Sequence, residues 1–349
     1  MSLVEHEPYS STSRVVETER AHPEQSKILS FRVMPFLEHI EHFREVFQSG
    51  PDATFSAYNP SSAFINHPDS YRAVRVDCSD GTTNRTKSII FKDTDDGLKP
   101  HTERHFDLED PFVTNFNDEI VFGGVQVDKS HGRRGQTVSN WRTVLFRGKT
   151  IPKLRPFFTG PEGMKDIRLI EKPDGKIGVY TRPRNPRSES LGGKGQIGYT
   201  EFESLDHIEN SDPSSLDIHN APLLSSFRFP QGQWGGVNHV QTVPDGRYQG
   251  WNLALTHRAY RDTVRHYSSD ALLHDPTTGR IVDLGTLVKR SDLPPGPWKG
   301  QERSRELQDV FFGTELTLID KYRARIIGGM SDEETGEAEI ANPLLQLTT

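Results

Sequence analysis

The stretch from Ile170 to Arg182, IEKPDGKIGVYTR, joins short β-rich runs through a tight turn. Alternating apolar and polar residues beside an Asp-Gly pair are the strongest short-range signal for a β-hairpin. Four further turns of this character occur along the chain, and each is followed by a short β-rich run. They are Ser79-Asp80-Gly81, Asn117-Asp118, Pro244-Asp245-Gly246 and Ile319-Asp320-Lys321. The sequence therefore predicts an all-β fold that is built from hairpins.

The five turns are unevenly spaced, with intervals of 38, 56, 71 and 75 residues between them. A four-stranded propeller blade needs roughly 40 to 50 residues, so the longer intervals would have to contain long loops. A β-sandwich with the same number of hairpins fits the local pattern almost as well. The pattern alone thus predicts an all-β fold and leaves propeller and sandwich open.

The composition agrees with many short strands. Hydrophobic residues make up 33% of the chain, while Gly (29) and Pro (23) are frequent, as expected where loops join short strands. One helix is predicted over Phe36–Phe47, FLEHIEHFREVF, from its apolar spacing, with Gly50 as the stop signal. Residues 1–27 are polar and aperiodic, which predicts a flexible, disordered extension. Residues 28–349 are expected to form a single domain.

Charge and cysteine content exclude several classes of protein. The net charge of −7 offers no basic footprint, so no nucleic-acid partner is expected. No apolar run approaches the ~20 residues of a membrane span, and the first residues lack a signal-peptide core, so no membrane association is expected. The single cysteine, Cys78, cannot form an intramolecular disulfide and is expected to be buried. A reducing, cytoplasmic location fits these features.

Motifs for cofactors and metals are missing from the sequence. Gly192-Gly193-Lys194-Gly195 lacks the spacing of a phosphate-binding P-loop, and no Gly-x-Ser-x-Gly elbow occurs. The 14 histidines show no metal-ligand spacing. We therefore expect neither a cofactor nor a metal.

Polar clusters flank the alternating runs, where side chains from distant segments could converge at one mouth of a propeller. Pro111 opens a strand-like run, which would fix the direction of the Asp110 carboxylate, although most Asp-Pro pairs only cap turns. Asp166 and Arg168 share one strand face, where such a pair is usually solvated, and Arg182 is suited to bidentate phosphate recognition. Further clusters are Tyr58-Asn59-Pro60, Arg75-Val76-Asp77, Trp234–His239, Thr256-His257, Gln308-Asp309-Val310 and Ser331-Asp332.

Several motifs, in order, carry a resemblance to a known family. They are EDPFVTNFNDEIVFGGVQV from Glu109, GMKDIRLIEKPDGKIGVYTRP from Gly163, GGKGQIGYTEF from Gly192, WGGVNHVQTVPDG from Trp234 and DVFFGTELTLID from Asp309. From Phe55 to Pro343 the chain resembles the trypanosomatid mannosyltransferase/phosphorylases, glycosyltransferase family 108, first catalogued as a conserved domain of unknown function. That family is related to the family 130 glycoside phosphorylases. The resemblance implies a five-bladed β-propeller and an inverting activity on β-1,2-linked mannosides.

The resemblance also implies roles for individual residues. Asp110 matches the Glu-Asp-Pro motif, and Asp128 matches by spacing the general acid of the related phosphorylases. Phe112 stands where those phosphorylases carry an arginine. The residues implied to bind phosphate are Lys165, Arg182 and His257. Those implied to bind the sugar substrate are Asn59, Arg75, Glu109, Asp166, Arg168, Asn238 and Asp309.

The implied reaction needs one carboxyl group that transfers a proton. Phosphate is already anionic, so a phosphorylase can dispense with the base that activates water in an inverting hydrolase. Asp110 or Asp128 would protonate the leaving oxygen, while cations hold the phosphate. The expected partners are a mannose oligosaccharide, phosphate or mannose 1-phosphate and, inherited from the family, GDP-mannose. The alternatives are a propeller glycoside hydrolase and a non-catalytic propeller that binds a glycan or a protein.

Overall fold

The computed structural model describes residues 19–20, 28–66, 68–81, 83–95, 97–116, 119–132, 135–183, 195–295 and 305–347. Of these described residues, 55% lie in strands and 12% in helices, which confirms the predicted all-β class. Within these ranges, no helix combines the length and apolar character needed to cross a membrane.

The strands, in chain order, are β1 (Glu19–Arg20), β2 (Ile28–Val33), β3 (Thr54–Tyr58), β4 (Phe64–Asn66), β5 (Asp69–Ser79), β6 (Asn84–Thr94), β7 (Gly97–Phe106), β8 (Glu109–Asn115), β9 (Ile120–Gly132), β10 (Gly135–Gly148), β11 (Arg155–Thr159), β12 (Arg168–Glu171), β13 (Ile177–Thr181), β14 (Gly198–Phe202), β15 (Trp234–Thr242), β16 (Asn252–Arg261), β17 (Arg265–His274), β18 (Ile281–Lys289), β19 (Asp309–Leu318), β20 (Arg323–Met330) and β21 (Glu334–Ala341).

These strands form five successive groups with antiparallel pairing inside each group. The first four groups are β3–β7, β8–β11, β12–β14 and β15–β18. The fifth contains β19–β21 and is completed by β2, which pairs with β21 so that Phe31 lies opposite Ala338. A short parallel pairing of β17 with β19 joins the fourth and fifth groups. Of the predicted extension over residues 1–27, β1 pairs with β18, and the rest lies outside the described residues.

Four of the five predicted turns are confirmed, because each joins two strands that pair with each other. Asp80 lies between β5 and β6, Asp174 between β12 and β13, Asp245 between β15 and β16, and Asp320 between β19 and β20. The remaining turn, Asn117-Asp118, lies outside the described residues.

The predicted helix is present and ends at Phe47, as predicted. A 3₁₀ turn over Phe36–His39 leads into α1 (Ile40–Phe47), whose buried phenylalanines pack on the first group. Gln48, in a left-handed conformation with φ of 49°, ends the helix, and Gly50 is not used as the stop. A second helix, α2 (Leu205–Asn210), was not predicted. Further 3₁₀ turns are Ile151–Lys153, Ile218–Asn220, Arg290–Asp292, Arg305–Leu307 and Pro343–Leu347.

The hydrophobic core is divided into five clusters, and each joins two strand groups. Each large apolar side chain in these clusters contributes about 1.5–3 kcal/mol to the stability of the fold when it is fully buried. The clusters join the first group to the second, the second to the third, the third to the fourth, the fourth to the fifth and the fifth back to the first. Members from the two sides are Ile90 and Phe122, Leu145 and Leu169, Tyr180 and Val237, Leu273 and Leu316, and Ile327 and Val74.

All five groups also line one cavity of about 410 Å³. It lies at the end of β8 that is remote from Asp110, as its lining residue Asn115 shows. Representatives of the five groups around it are Ala63, Asn115, Glu171, Thr242 and Thr317. The groups therefore surround a common space, while the five-bladed propeller itself stays a prediction.

Candidate functional site

Backbone strain is concentrated at one group of strand ends. Seven described residues other than glycine have positive φ, and each such residue typically stores about 1–3 kcal/mol. Five of the seven belong to segments that meet around Arg75 and Asp166. They are Asn59 (φ 49°), Asp110 (48°), Asp166 (65°), Ser331 (54°) and Asp332 (55°). This concentration marks the region as the candidate site.

Arg75 on β5 gathers three carboxylates around its guanidinium group. Its Nη1 lies 3.0 Å from Asp110 Oδ1 and 3.2 Å from Glu109 Oε2. Its Nε lies 3.2 Å from Asp77 Oδ1. Asn59 Nδ2 donates a hydrogen bond of 2.8 Å to the same Asp110 oxygen that Arg75 contacts. Asp110 is therefore held by two donors from the first strand group.

The electrostatic environment keeps Asp110 ionised. Burial alone would raise the pKa of Asp110, but Arg75, Lys165 and the hydrogen bond from Asn59 together lower it below its usual value. Burial raises the pKa of the neighbouring Glu109, against the effect of Arg75. Two adjacent carboxyl groups thus differ in their readiness to hold a proton.

Asp166 forms a second, more deeply buried ion pair. Its Oδ2 accepts a hydrogen bond of 2.8 Å from Arg182 Nη1, and only 4% of its side chain is exposed. Burial would raise its pKa, but Arg182, Lys165 and Arg168 lower it well below the usual range. β15 packs closely against Asp166 at Gly236. A Cβ at Gly236 would lie only 2.5 Å from Asp166 Oδ2, so the close approach requires glycine there. Asp166 is therefore an anion fixed by its surroundings.

His257 is neutral, and its tautomer follows from its partners. Burial lowers its pKa to about 3. Asn238 Nδ2 donates to the Gly313 carbonyl at 2.7 Å, so Asn238 Oδ1 accepts from His257 Nδ1 at 2.8 Å. His257 Nε2 then carries a lone pair, 3.9 Å from Asp166 Oδ2. Such a nitrogen accepts a hydrogen bond from a hydroxyl, which does not favour the predicted role of His257 in holding phosphate.

Arg168 is fixed by the protein itself. Its guanidinium lies 3.8 Å above the centre of the Phe112 ring, and its Nε donates to the Asn238 carbonyl at 2.7 Å. Burial lowers its pKa to about 10, so it stays charged at neutral pH. Phe112 thus supports Arg168 by a cation–π contact.

Lys165 differs from the other cations because no described residue forms a hydrogen bond or ion pair with its ammonium group. Burial would lower its pKa, but Asp166 and Asp110 raise it, so it is charged. Tyr267, which stacks on His257, also raises the pKa of Lys165, whereas the positive charge of Arg182 lowers it. A charged amine without a protein partner is suited to bind an anionic ligand.

The comparison with known families decides the affiliation of the chain. Residues 22–346 match the family described as "Protein of unknown function (DUF1861)". The chain belongs to the DUF1861 family. No curated protein matches it.

Solved structures similar to this DUF1861 protein include two from Leishmania mexicana. One is MPT-4, a mannose phosphorylase in complex with phosphate ion, with 26% identity, a TM-score of 0.70 and coverage of 88% of this chain and 94% of that one. The other is MPT-1, a GDP-Man-dependent mannosyltransferase, with 25% identity, a TM-score of 0.68 and coverage of 87% and 93%. A hypothetical protein from Leishmania major shares the fold at 23% identity, with a TM-score of 0.65 and coverage of 88% and 95%. The family resemblance inferred from the motifs is thereby confirmed.

The structure of the DUF1861 protein brings most of the predicted site residues together. Direct contacts or electrostatic interactions link ten of them. They are Asn59, Arg75, Glu109, Asp110, Lys165, Asp166, Arg168, Arg182, Asn238 and His257.

Asp128 and Asp309 lie apart from this cluster. Asp128 Oδ2 pairs with Arg142 of β10 at 2.8 Å, and 38% of its side chain is exposed. Asp309 lies 2.5 Å from His266 Nδ1, with 42% of its side chain exposed. Asp309 does share a cavity of about 210 Å³ with Tyr267, so it borders the site.

Two carboxyl residues of the cluster had no role assigned from sequence. Asp77 binds Arg75 and accepts a hydrogen bond of 2.7 Å from Tyr58. Asp332 is electrostatically coupled to Arg75 and Asp110. Both belong to polar clusters that the sequence analysis noted beside β-rich runs, and membership of such a cluster was the one sequence signal that could have pointed to them.

Proposed function

We propose that this protein transfers mannose as a phosphorylase, as a GDP-mannose-dependent mannosyltransferase, or as both. The proposed substrates are β-1,2-linked mannosides and phosphate or mannose 1-phosphate. The proposed scaffold is a five-bladed propeller in which the five strand groups are the blades. The cyclic order of the five core clusters and the cavity lined by all groups support this scaffold.

One observation carries the proposal of phosphate chemistry. The Lys165 ammonium group, which the described residues leave without a partner, lies within electrostatic range of Asp110, Asp166 and Arg182. Cations that hold an anionic nucleophile next to carboxyl groups are what a phosphorylase requires. The similarity to a mannose phosphorylase in complex with phosphate supports the same chemistry.

The proposed mechanism assigns separate tasks to the two halves of the cluster. Lys165 and Arg182 bind the phosphate, and the lone pair on His257 Nε2 accepts a hydrogen bond from a sugar hydroxyl. A phosphate oxygen attacks the anomeric carbon while the bond from that carbon to the leaving oxygen breaks. A carboxyl group of the cluster protonates the leaving oxygen. Asp110 is the sequence candidate that lies in this cluster, whereas Asp128 does not.

Mannosyl transfer from GDP-mannose is the second candidate activity. The mannosyltransferase MPT-1 is nearly as similar to this chain as the phosphorylase MPT-4 is. The same cations would then hold the diphosphate of the donor, and the attacking group would be a sugar hydroxyl. Incubation with GDP-mannose and a mannoside acceptor, with GDP release as the readout, separates the two activities.

Phosphate dependence is the first expected result. Incubation with β-1,2-mannobiose should release mannose 1-phosphate only when inorganic phosphate is present, because phosphate is the nucleophile. Chromatography of the sugar phosphates provides the measurement. Release of free mannose at a rate that phosphate does not change would instead indicate a hydrolase. A protein that binds mannosides without turning over any donor would be a binding module.

Lys165 should determine the affinity for phosphate. Replacement of Lys165 by Met should raise the KM for phosphate by about 10–100-fold, the usual effect of losing one charged hydrogen bond. Lys153→Met, which changes an exposed lysine, is the matched control and should leave this KM unaltered. An unchanged KM in Lys165→Met would remove Lys165 from the phosphate site. Initial rates at varied phosphate concentration provide the measurement.

A further inference from the structure

A further cavity, of about 550 Å³, opens between the first and second strand groups. It lies at the beginning of β8, where Leu108 and Glu109 line it, whereas the cavity of about 410 Å³ lies at the other end of β8 near Asn115. Elsewhere the two groups are in apolar contact, as in the stacked rings of Phe106 and Phe122, whose centres are 4.3 Å apart. The cavity is named the β6–β9 groove after two of the strands that line it, through Arg85, Lys87, Val125, Val127 and Lys129.

The β6–β9 groove is continuous with the cluster around Arg75. Glu109 lines the groove, and its Oε2 lies 3.2 Å from Arg75 Nη1, the atom that also contacts Asp110 Oδ1 at 3.0 Å. Thr86 lines the groove as well, and its hydroxyl donates a hydrogen bond of 2.7 Å to Asp77, which binds Arg75. A saccharide chain with one bond at the carboxylate of Asp110 can therefore continue past Glu109 into the groove.

The groove carries hydrogen-bond donors that the protein uses only in part. An ammonium group has three N–H donors. Lys87 Nζ donates to Asp107 Oδ1 at 2.7 Å, and Lys129 Nζ donates to the Asn84 carbonyl at 3.0 Å, and within the described part of the chain neither ammonium group has a second hydrogen bond. Arg85 Nε is buried and has no hydrogen-bond partner among the described residues. Unused donors beside a cavity are suited to the hydroxyl oxygens of a ligand.

The floor of the groove is apolar. Leu108 and Val125 are each 5% exposed, and Val127 extends the same face of β9 because alternate residues of a strand share a face. Pockets for small organic ligands generally combine an apolar surface with a few polar groups, at volumes of about 300–1,000 Å³. A pyranose offers an apolar C–H face together with hydroxyl groups, so its chemistry matches both parts of the groove.

We propose that the β6–β9 groove binds the part of the mannoside chain that follows the leaving sugar, and that the protein therefore prefers chains longer than a disaccharide. This inference rests on the proposed function. In phosphorolysis, a phosphate oxygen bonds to the anomeric carbon, the bond from that carbon to the leaving oxygen breaks, and the proton of the acidic carboxyl group ends on the shortened chain. In the reverse direction, the groove holds the acceptor chain whose hydroxyl attacks mannose 1-phosphate.

The dependence of activity on chain length is the first test. In wild type, kcat/KM for β-1,2-mannotetraose should exceed that for β-1,2-mannobiose by about tenfold or more, the usual effect of one or two additional hydrogen bonds. Val127→Trp fills the groove and should abolish this preference while leaving kcat/KM for mannobiose unchanged. Val138→Trp, at a valine of β10 that is 56% exposed, is the matched control and should keep the preference. Initial rates of mannose 1-phosphate release provide the measurement.

A second variant removes donors without adding bulk. Lys129→Met should lower the preference for mannotetraose by about 2–10-fold, because one charged donor is lost from the groove. Equal kcat/KM values for both substrates in wild type would overturn the proposal. So would a preference that stays unaltered in Val127→Trp and Lys129→Met, or a loss in Val127→Trp that is as large with mannobiose as with mannotetraose while the melting temperature stays that of wild type.

Binding provides a readout that needs no turnover. In calorimetric titration without phosphate, wild type should bind mannotetraose with a Kd lower by about tenfold or more than the Kd for mannobiose, and Val127→Trp should lose this difference. If mannotetraose binds in this way but wild type releases no mannose 1-phosphate, the proposed function fails and the assignment of the groove holds. If mannose 1-phosphate is released but the two saccharides bind equally well, the assignment of the groove fails and the proposed function holds.

Discussion

Replacement of Asp110 by Asn should lower kcat/KM for phosphorolysis by about a hundredfold or more, the usual effect of removing one charged group at a reacting centre. The substitution removes the negative charge between Arg75 and Lys165 but keeps the shape of the side chain. Asparagine also tolerates the left-handed backbone at this position, where φ is 48°. Arg75 keeps its contacts with Asp77 and Glu109, so the fold should be retained. Initial rates, with the melting temperature as a check on folding, provide the measurement.

Asp128→Asn is the natural comparison, because both aspartates are sequence candidates for catalysis. Asp128 is half-exposed and pairs with Arg142 outside the cluster, so its replacement should change activity by less than about threefold. If Asp128→Asn abolished activity while Asp110→Asn retained it, the assignment of the reacting centre to the Arg75 cluster would be wrong.

Replacement of Arg72 by Met should lower the free energy of unfolding by about 3–5 kcal/mol, because it leaves a buried carboxylate without its main partner. Arg72 of the first strand group forms an ion pair with Glu315 of the fifth, and 7% and 5% of the two side chains are exposed. Arg325, at 3.7 Å from Glu315, compensates only in part. Urea denaturation measures the change. A loss below about 1 kcal/mol would mean that the pair is solvated in solution.

The matched control removes both charges. The double variant Arg72→Met with Glu315→Leu should recover most of the lost stability, because no isolated charge remains buried. The effect of the single substitution should also depend on pH. Burial would raise the pKa of Glu315, but Arg72 and its hydrogen bond lower it below the usual value. The stabilisation is therefore present above the unfolded pKa of about 4.3 and disappears as acid protonates Glu315.

The hairpins could be predicted from sequence because their signals are local. Apolar and polar residues that alternate on both sides of Asp174 or Asp245 specify a turn and two paired strands, regardless of the rest of the chain. The end of α1 at Phe47 was also predicted, but the residue that ends the helix could not be read in this way. Gln48 adopts a left-handed conformation two residues before the expected Gly50, since its N–H group bonds the carbonyls of Arg44 and Glu45.

Only those residues of the candidate site that belong to a recognisable motif could be predicted from the sequence. The Glu-Asp-Pro motif identified Asp110 because that carboxylate begins a strand. Counting along the chain does not bring Asp128 into the cluster: Glu109 lies opposite Val125, a bulge interrupts the pairing after Glu109, and Asp128 lies opposite Asn140 of β10. The state of Asp332 depends on Arg75, Asp110 and Lys165, which come from distant segments. No local pattern encodes such an environment.

The pairing of β2 with β21 has a consequence for biosynthesis. Arg32 and Glu337, which pair across these strands, are 305 residues apart. At about 5–20 residues per second, a ribosome completes β21 roughly 15–60 s after β2. Leu29 and Val33 of β2 are 47% and 40% exposed even in the finished protein. During that interval the newly made β2 has no β21 to pair with, so the fifth strand group can be completed only at the end of synthesis.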